Sequence, residues 1–229
     1  THFEGTQMDY IKYGRAVNEV SVGASAAYPF ATYPTIQEAV DNAMPGDHIS
    51  IYPGTYDEGV LIPNTKRDLV FIGAGPLDEI TIVPTDGSIP LEIDGAKGLE
   101  FHNIGFEAAA GIDFALYVHE DARRVGFYDC KAEGGAVAVV KIGGTVADLK
   151  APADVRFDDC DITWGVVGIL FGASSTQIPT QIYFNRGVVH NQTDAWVDLA
   201  SNGDFADVAF KDVDFLLGQD HTAPTVGID

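Results

Sequence analysis

Three acids offer the best case for chemistry in this sequence: Asp129, Asp158 and Asp159. Asp129 and Asp159 each stand two residues after a phenylalanine in a repeated segment. Stacked on neighbouring strands, their carboxyl groups would lie ~5 Å apart, close to the carboxylate pair of retaining glycosidases. Asp158 adjoins them, and a hard cation needs several such oxygens. A plainer reading competes. Asn103 and Asp212 hold the same place in other copies of the repeat, and Asn and Asp commonly bond local backbone in tight bends. The expectation is therefore that no catalytic set is present. Asp129, Asp159 and Asp158 are the residues to carry one if the protein is an enzyme.

The other chemically capable residues form no recognisable pattern. His2, His48, His102, His119, His190 and His221 show no metal-ligand spacing, and His119-Glu120-Asp121 reads as a solvated loop. Ser174-Ser175 lies outside any G-x-S-x-G elbow. Gly73-Ala-Gly75-Pro76 reads as a turn, not a phosphate cradle. Two cysteines, Cys130 and Cys160, are too few for a disulfide scaffold or a cysteine-based zinc site. No cofactor or metal is expected. Trp164, Trp196 and several tyrosines could line a sugar-binding face.

Charge narrows the partners. Thirty-four acids against thirteen bases give a net charge of −21. That argues against binding nucleic acid, where Lys and Arg neutralising phosphates dominate affinity, and against anionic membranes. No run of 18 apolar residues is present, so no transmembrane helix is expected. No charged n-region with an apolar h-region opens this sequence, so no signal peptide is expected in it, and Thr1 fits removal of an initiator Met or an earlier processing event.

The elements that would position these residues come from an internal repeat. Leu69-Val-Phe71, Leu99-Glu-Phe101, Val125-Gly-Phe127, Val155-Arg-Phe157, Ile182-Tyr-Phe184 and Val208-Ala-Phe210 each read aliphatic, variable, Phe. Their spacing of roughly 26–30 residues is that of a solenoid. Each copy looks strand-like, and no amphipathic helix recurs. The fold class predicted is all-β: a single-stranded right-handed parallel β-helix of about six to seven coils. Apolar residues return three residues after most of the phenylalanines, which breaks the two-residue alternation of a strand. One residue must therefore sit in a corner. At that place stand Asn103, Asp129, Asp159, Arg186 and Asp212, mostly types that tolerate left-handed backbone. The pattern predicts a Phe column, an aliphatic column, and Cys130 stacked over Cys160 as buried, reduced residues.

Tyr33 to Pro63 supplies the lid. Thr35 and Glu38 form a T-x-x-E capping box. Ile36, Ala39, Val40 and Ala43 make one apolar stripe, and Pro45-Gly46 ends the helix. His48 to Tyr52 alternates as a first strand. The predicted organisation is an N-terminal arm over residues 1–30, for attachment or subunit contact, and a β-helix domain over 31–229. The C-terminal end is expected to lack a cap of its own.

The segment T-I-Q-E-A-V-D-N-A-x-P-G-D-x-I-x-I-Y-P-G-T-Y-x-E, Thr35 to Glu58, resembles the opening of pectin-lyase-like right-handed β-helix proteins. It is most similar to pectin methylesterases. The resemblance implies the fold, and it also locates that family's catalytic segments. Gly135-Ala-Val-Ala138 is similar to the family's Gln-Ala-Val-Ala, with glycine in place of the stabilising glutamine. Gly168-Ile-Leu-Phe-Gly172 is similar to Asp-Phe-Ile-Phe-Gly, with glycine in place of the nucleophilic aspartate. No Arg-Pro-Trp segment follows. The opening Thr-His-Phe-Glu-Gly is similar to the start of small head-structural and decoration proteins of tailed bacteriophages.

These readings combine into an expectation of a non-enzymatic virion structural protein. It would be a capsid decoration or head-fibre component on the outer capsid surface, a homotrimer contacting the major capsid protein through residues 1–30 and the uncapped end. The alternative is a polysaccharide-acting enzyme or glycan-binding spike module on the same scaffold.

Overall fold

The computed structural model describes residues 18–23, 27–119, 121–144, 151–172, 179–199 and 206–216. The chain winds in coils of three short strands. After an edge strand β1 (Glu19–Val22), the first coil holds β2 (His48–Ile51), β3 (Gly54–Tyr56) and β4 (Val60–Pro63). The second holds β5 (Arg67–Gly73), β6 (Ile80–Ile82) and β7 (Leu91–Asp94), and the third β8 (Lys97–His102), β9 (Gly105–Glu107) and β10 (Leu116–His119). The fourth holds β11 (Arg123–Tyr128), β12 (Lys131–Glu133) and β13 (Ala138–Ile142). The fifth holds β14 (Ala153–Asp158), β15 (Asp161–Thr163) and β16 (Val167–Phe171), and the sixth β17 (Thr180–Asn185), β18 (Val188–His190) and β19 (Ala195–Leu199). A partial seventh adds β20 (Ala206–Lys211) and β21 (Asp214–Leu216).

Equivalent strands of successive coils pair in parallel, giving three sheets. The first runs β1-β2-β5-β8-β11-β14-β17-β20, the second β3-β6-β9-β12-β15-β18-β21, and the third β4-β7-β10-β13-β16-β19. This is the parallel β-helix that the repeat predicts, at six full coils and part of a seventh.

The register stacks like on like. Phe71, Phe101, Phe127, Phe157, Phe184 and Phe210 pair in sequence across the first sheet. Their rings stack with centroids 4.7–5.0 Å apart, the interstrand spacing itself. Leu69, Leu99, Val125, Val155 and Ile182 form a second inward column in the same sheet, each buried. Asn103, Asp129, Asp159, Arg186 and Asp212 all adopt left-handed backbone, with φ between +49° and +58°. They form the corner between the first and second sheets, as the broken alternation requires. Cys130 and Cys160 are free and buried just beyond that corner.

Helix α1 (Ile36–Asn42) closes the first coil. Ile36, Ala39 and Val40 are buried in the main core. Thr35 accepts from the Glu38 amide at 3.2 Å, as a capping residue should. A second cap comes from outside the predicted box: Glu58 Oε1 and Oε2 accept from the Ile36 and Gln37 amides at 2.8 and 2.9 Å. Burial of that carboxyl pushes its pKa up, against the pull of the two amides. Of the predicted arm, Glu19–Val22 is a strand paired with β2. Residues 1–17 and the C-terminal segment 217–229 lie outside the described residues, as does Ser174-Ser175. No described helix is long and apolar enough to cross a membrane.

Candidate functional site

Strand alternation decides which side chains face outward. On the third sheet Leu91 and Ile93 of β7, Leu116 and Val118 of β10, and Val140 and Ile142 of β13 point into the core. Glu92, Asp94, Tyr117, His119 and Lys141 lie on the opposite face. Register then brings them together: Glu92 stands beside Tyr117 and Asp94 beside His119, and Tyr117 stands beside Lys141.

The contacts among them are specific. His119 Nε2 lies 2.9 Å from Glu92 Oε1, and its Nδ1 lies 3.9 Å from Asp94 Oδ1. The His119 side chain is only 14% exposed, while the two carboxylates are 35% and 40% exposed. Tyr117 stacks on the imidazole at 4.3 Å. Phe114 leans against Tyr117 at 5.4 Å, and Lys141 Nζ sits 4.9 and 4.7 Å from the two ring centres. Phe114 also belongs to a small apolar cluster with Ala138, Val167 and Ala195, flanked by Val166 and Leu170. A titratable base between two carboxylates thus adjoins an aromatic and apolar strip. This set can orient a hydroxylated ring and move a proton.

The sequence reading of His119 as a solvated loop residue is corrected: His119 ends β10, largely covered and paired. Two other histidines make single pairs elsewhere. His102 meets Glu100 at 3.2 Å and stacks on Tyr128 on the first sheet, and His190 meets Asp161 at 2.8 Å on the second. Neither has a second carboxylate within the ion-pair distances seen at His119 among the described residues.

The three acids singled out from sequence take two kinds of position in the fold. Asp129 and Asp159 occupy the left-handed corner. Asp159 is held by Arg186, with Nε at 3.0 Å and Nη2 at 2.7 Å, and the Arg186 guanidinium draws its carboxyl below the usual range. Asp158 instead ends β14 and accepts from Asn185 Nδ2 at 2.5 Å. Among the described residues, no group of three or more His, Cys, Asp or Glu side chains is arranged to hold a metal. A groove of about 310 Å³ lies on the second sheet, lined by Thr81, Gly105, Glu107, Lys131 and Glu133. Its Lys131 is engaged by Glu133.

Similarity to solved structures follows the fold. The chain is similar to pectin methylesterase from carrot, at 18% identity and a TM-score of 0.50, over 88% of this chain and 84% of that one. It is also similar to pectin methylesterase PemA from Erwinia chrysanthemi, at 17% identity and a TM-score of 0.53, over 86% and 67%. No family model and no curated protein matches the sequence. The expectation of a protein that is not an enzyme is corrected by this likeness, because the structures sharing the fold over most of the chain are enzymes. At the positions where the resemblance implies that family's glutamine and aspartate, this chain has Gly135 and Gly168. The likeness lends nothing to the virion reading. The chain is a parallel β-helix, the fold it shares with these structures, and Gly135–Val137 lead into β13 while Gly168–Phe171 lie in β16, on the same third sheet as His119.

Proposed function

We propose that this protein acts on a polysaccharide laid across the outer face of the third sheet, with His119 as the proton-transferring group. The observation that carries this reading is the His119–Glu92 contact of 2.9 Å, with Asp94 beside it and the Phe114–Tyr117 rings adjoining. Glu92 fixes the imidazole orientation. Asp94, more exposed, is the carboxylate open to a substrate or an attacking water. Tyr117, half-buried and backed by the buried Phe114 ring, offers flat apolar area of the kind a sugar ring covers. The likeness to pectin methylesterases supports the substrate class, a polysaccharide, since those proteins are named for a polysaccharide ester. Their esterase residues at the two glycine positions are not shared. The reaction assigned is therefore acid–base cleavage of a glycosidic or ester bond by the His119 group.

The test is incubation with a panel of neutral, uronate and methyl-esterified polysaccharides, scored for new reducing ends, unsaturated products and released methanol. Wild-type protein gives product on at least one. His119→Gln, which keeps a hydrogen-bonding side chain but cannot shuttle a proton at neutral pH, loses activity by about 100-fold or more. Unchanged activity in that variant would remove His119 from the mechanism.

A further inference from the structure

The corner between the second and third sheets contains a residue that does not fit its backbone. Gly134, Trp164 and Asn191 each follow the last residue of β12, β15 and β18, and all three are left-handed, with φ of +86°, +57° and +59°. Glycine and asparagine adopt that conformation readily. A bulky aromatic residue there is a conformational outlier, and such strain persists only where the surroundings over-determine it. They do here. Buried Gln192 accepts from the Gly165 amide at 2.9 Å and donates to the Ile162 and His190 carbonyls at 3.1 and 2.7 Å. The corner is stitched on both sides of the strained residue.

The strain does not serve core packing, because Trp164 is 56% exposed. Its surroundings combine apolar and polar groups. Asn191, next in the column, donates to Thr163 Oγ1 at 3.4 Å, and His190 and Asp161 form their pair on the adjoining strands. Val166, two residues on, belongs to the apolar strip that includes Phe114. From β10 through β13 to β16 is two strand spacings, so Trp164 lies ~10 Å along the coil axis from the Phe114–Tyr117 rings. An exposed flat apolar ring, with hydrogen-bonding residues at neighbouring positions of the corner and adjoining strands, suits the face and hydroxyls of a sugar ring. A nucleic-acid base is disfavoured by the net charge of −21.

We infer that Trp164 is a stacking platform for a pyranose unit of the same polysaccharide chain, held in strained backbone at a cost in stability. This inference rests on the polysaccharide reading above. The test measures binding and stability together on the whole chain. Tryptophan fluorescence and calorimetry follow titration with methyl-esterified polygalacturonate, polygalacturonate and a neutral β-glucan. Wild type and Trp164→Phe bind at least one of these. Trp164→Asn, the residue type found next in the column, binds it roughly tenfold more weakly, yet melts a few degrees higher as the strain is relieved. Binding by Trp164→Asn equal to wild type, or binding lost in Trp164→Asn without any gain in melting temperature, overturns the inference. If binding is unaffected in Trp164→Asn while His119→Gln still abolishes product formation, the platform fails and the polysaccharide reading stands. If none of the three polysaccharides binds wild type, both fail.

Discussion

At the scale of single residues, the site depends on partners that sequence spacing conceals. His119 and Glu92 are 27 residues apart, on different coils, and only the strand register puts them in contact. Unequal loops join the strands, so no fixed offset predicts that meeting, and a histidine followed by two acids looks like solvated loop. The corner acids were readable for the opposite reason: each follows its phenylalanine by two residues, and left-handed backbone favours Asn and Asp. Asp121 makes a prediction that can be checked without substrate. Its carboxylate accepts from Lys97 Nζ at 2.8 Å and Arg123 Nε at 2.7 Å. The Lys97 hydrogen bond, aided by Arg123, lowers its pKa from 3.8 to about 2. A carboxyl with a depressed folded-state pKa adds stability above its ordinary value and loses it as pH falls through the folded value. Wild-type stability should therefore fall more steeply between pH 4 and 2 than that of Asp121→Asn, as measured by melting temperature against pH.

At the scale of elements, most of the structure was legible because one rule recurs coil after coil. Aliphatic-x-Phe fixed the first-sheet strands, the stacked ring column and the corner together. Phe127 lies fully buried between Phe101 and Phe157. Phe127→Ala leaves a cavity that the rigid column cannot close, costing about 3–5 kcal/mol and lowering the melting temperature by roughly 10 °C. Much smaller loss would show that neighbouring coils collapse into the gap. The lid helix illustrates what local pattern misses. Thr35 and Glu38 announced the cap, while Glu58, 22 residues beyond Ile36 in the first coil, fills two further amides. Glu58→Ala should cost about 1–2 kcal/mol in a denaturant titration. Glu58→Gln, which keeps one acceptor oxygen, should cost less.

At the scale of the whole molecule, a rigid solenoid offers three long sheet faces, and sequence alone gave no reason to prefer one. Composition, at a net charge of −21, argues against phosphate-rich partners but does not distinguish a bare scaffold from a carbohydrate-active one. The absence of one family's glutamine and aspartate does not by itself exclude catalysis, because function lives in the site and not in the fold. The register singles out one face to test: on the third sheet His119, Glu92, Asp94, Tyr117 and Lys141 converge across three strands, with the buried Phe114 ring beside them. The most direct test of this account compares wild type with His119→Gln on the panel of neutral, uronate and methyl-esterified polysaccharides at matched folded fraction. The account predicts product from wild type on at least one polysaccharide and a loss of about 100-fold or more in the variant, with melting temperature little changed. Equal rates for the two proteins, or no product from wild type on any of the polysaccharides, would contradict it.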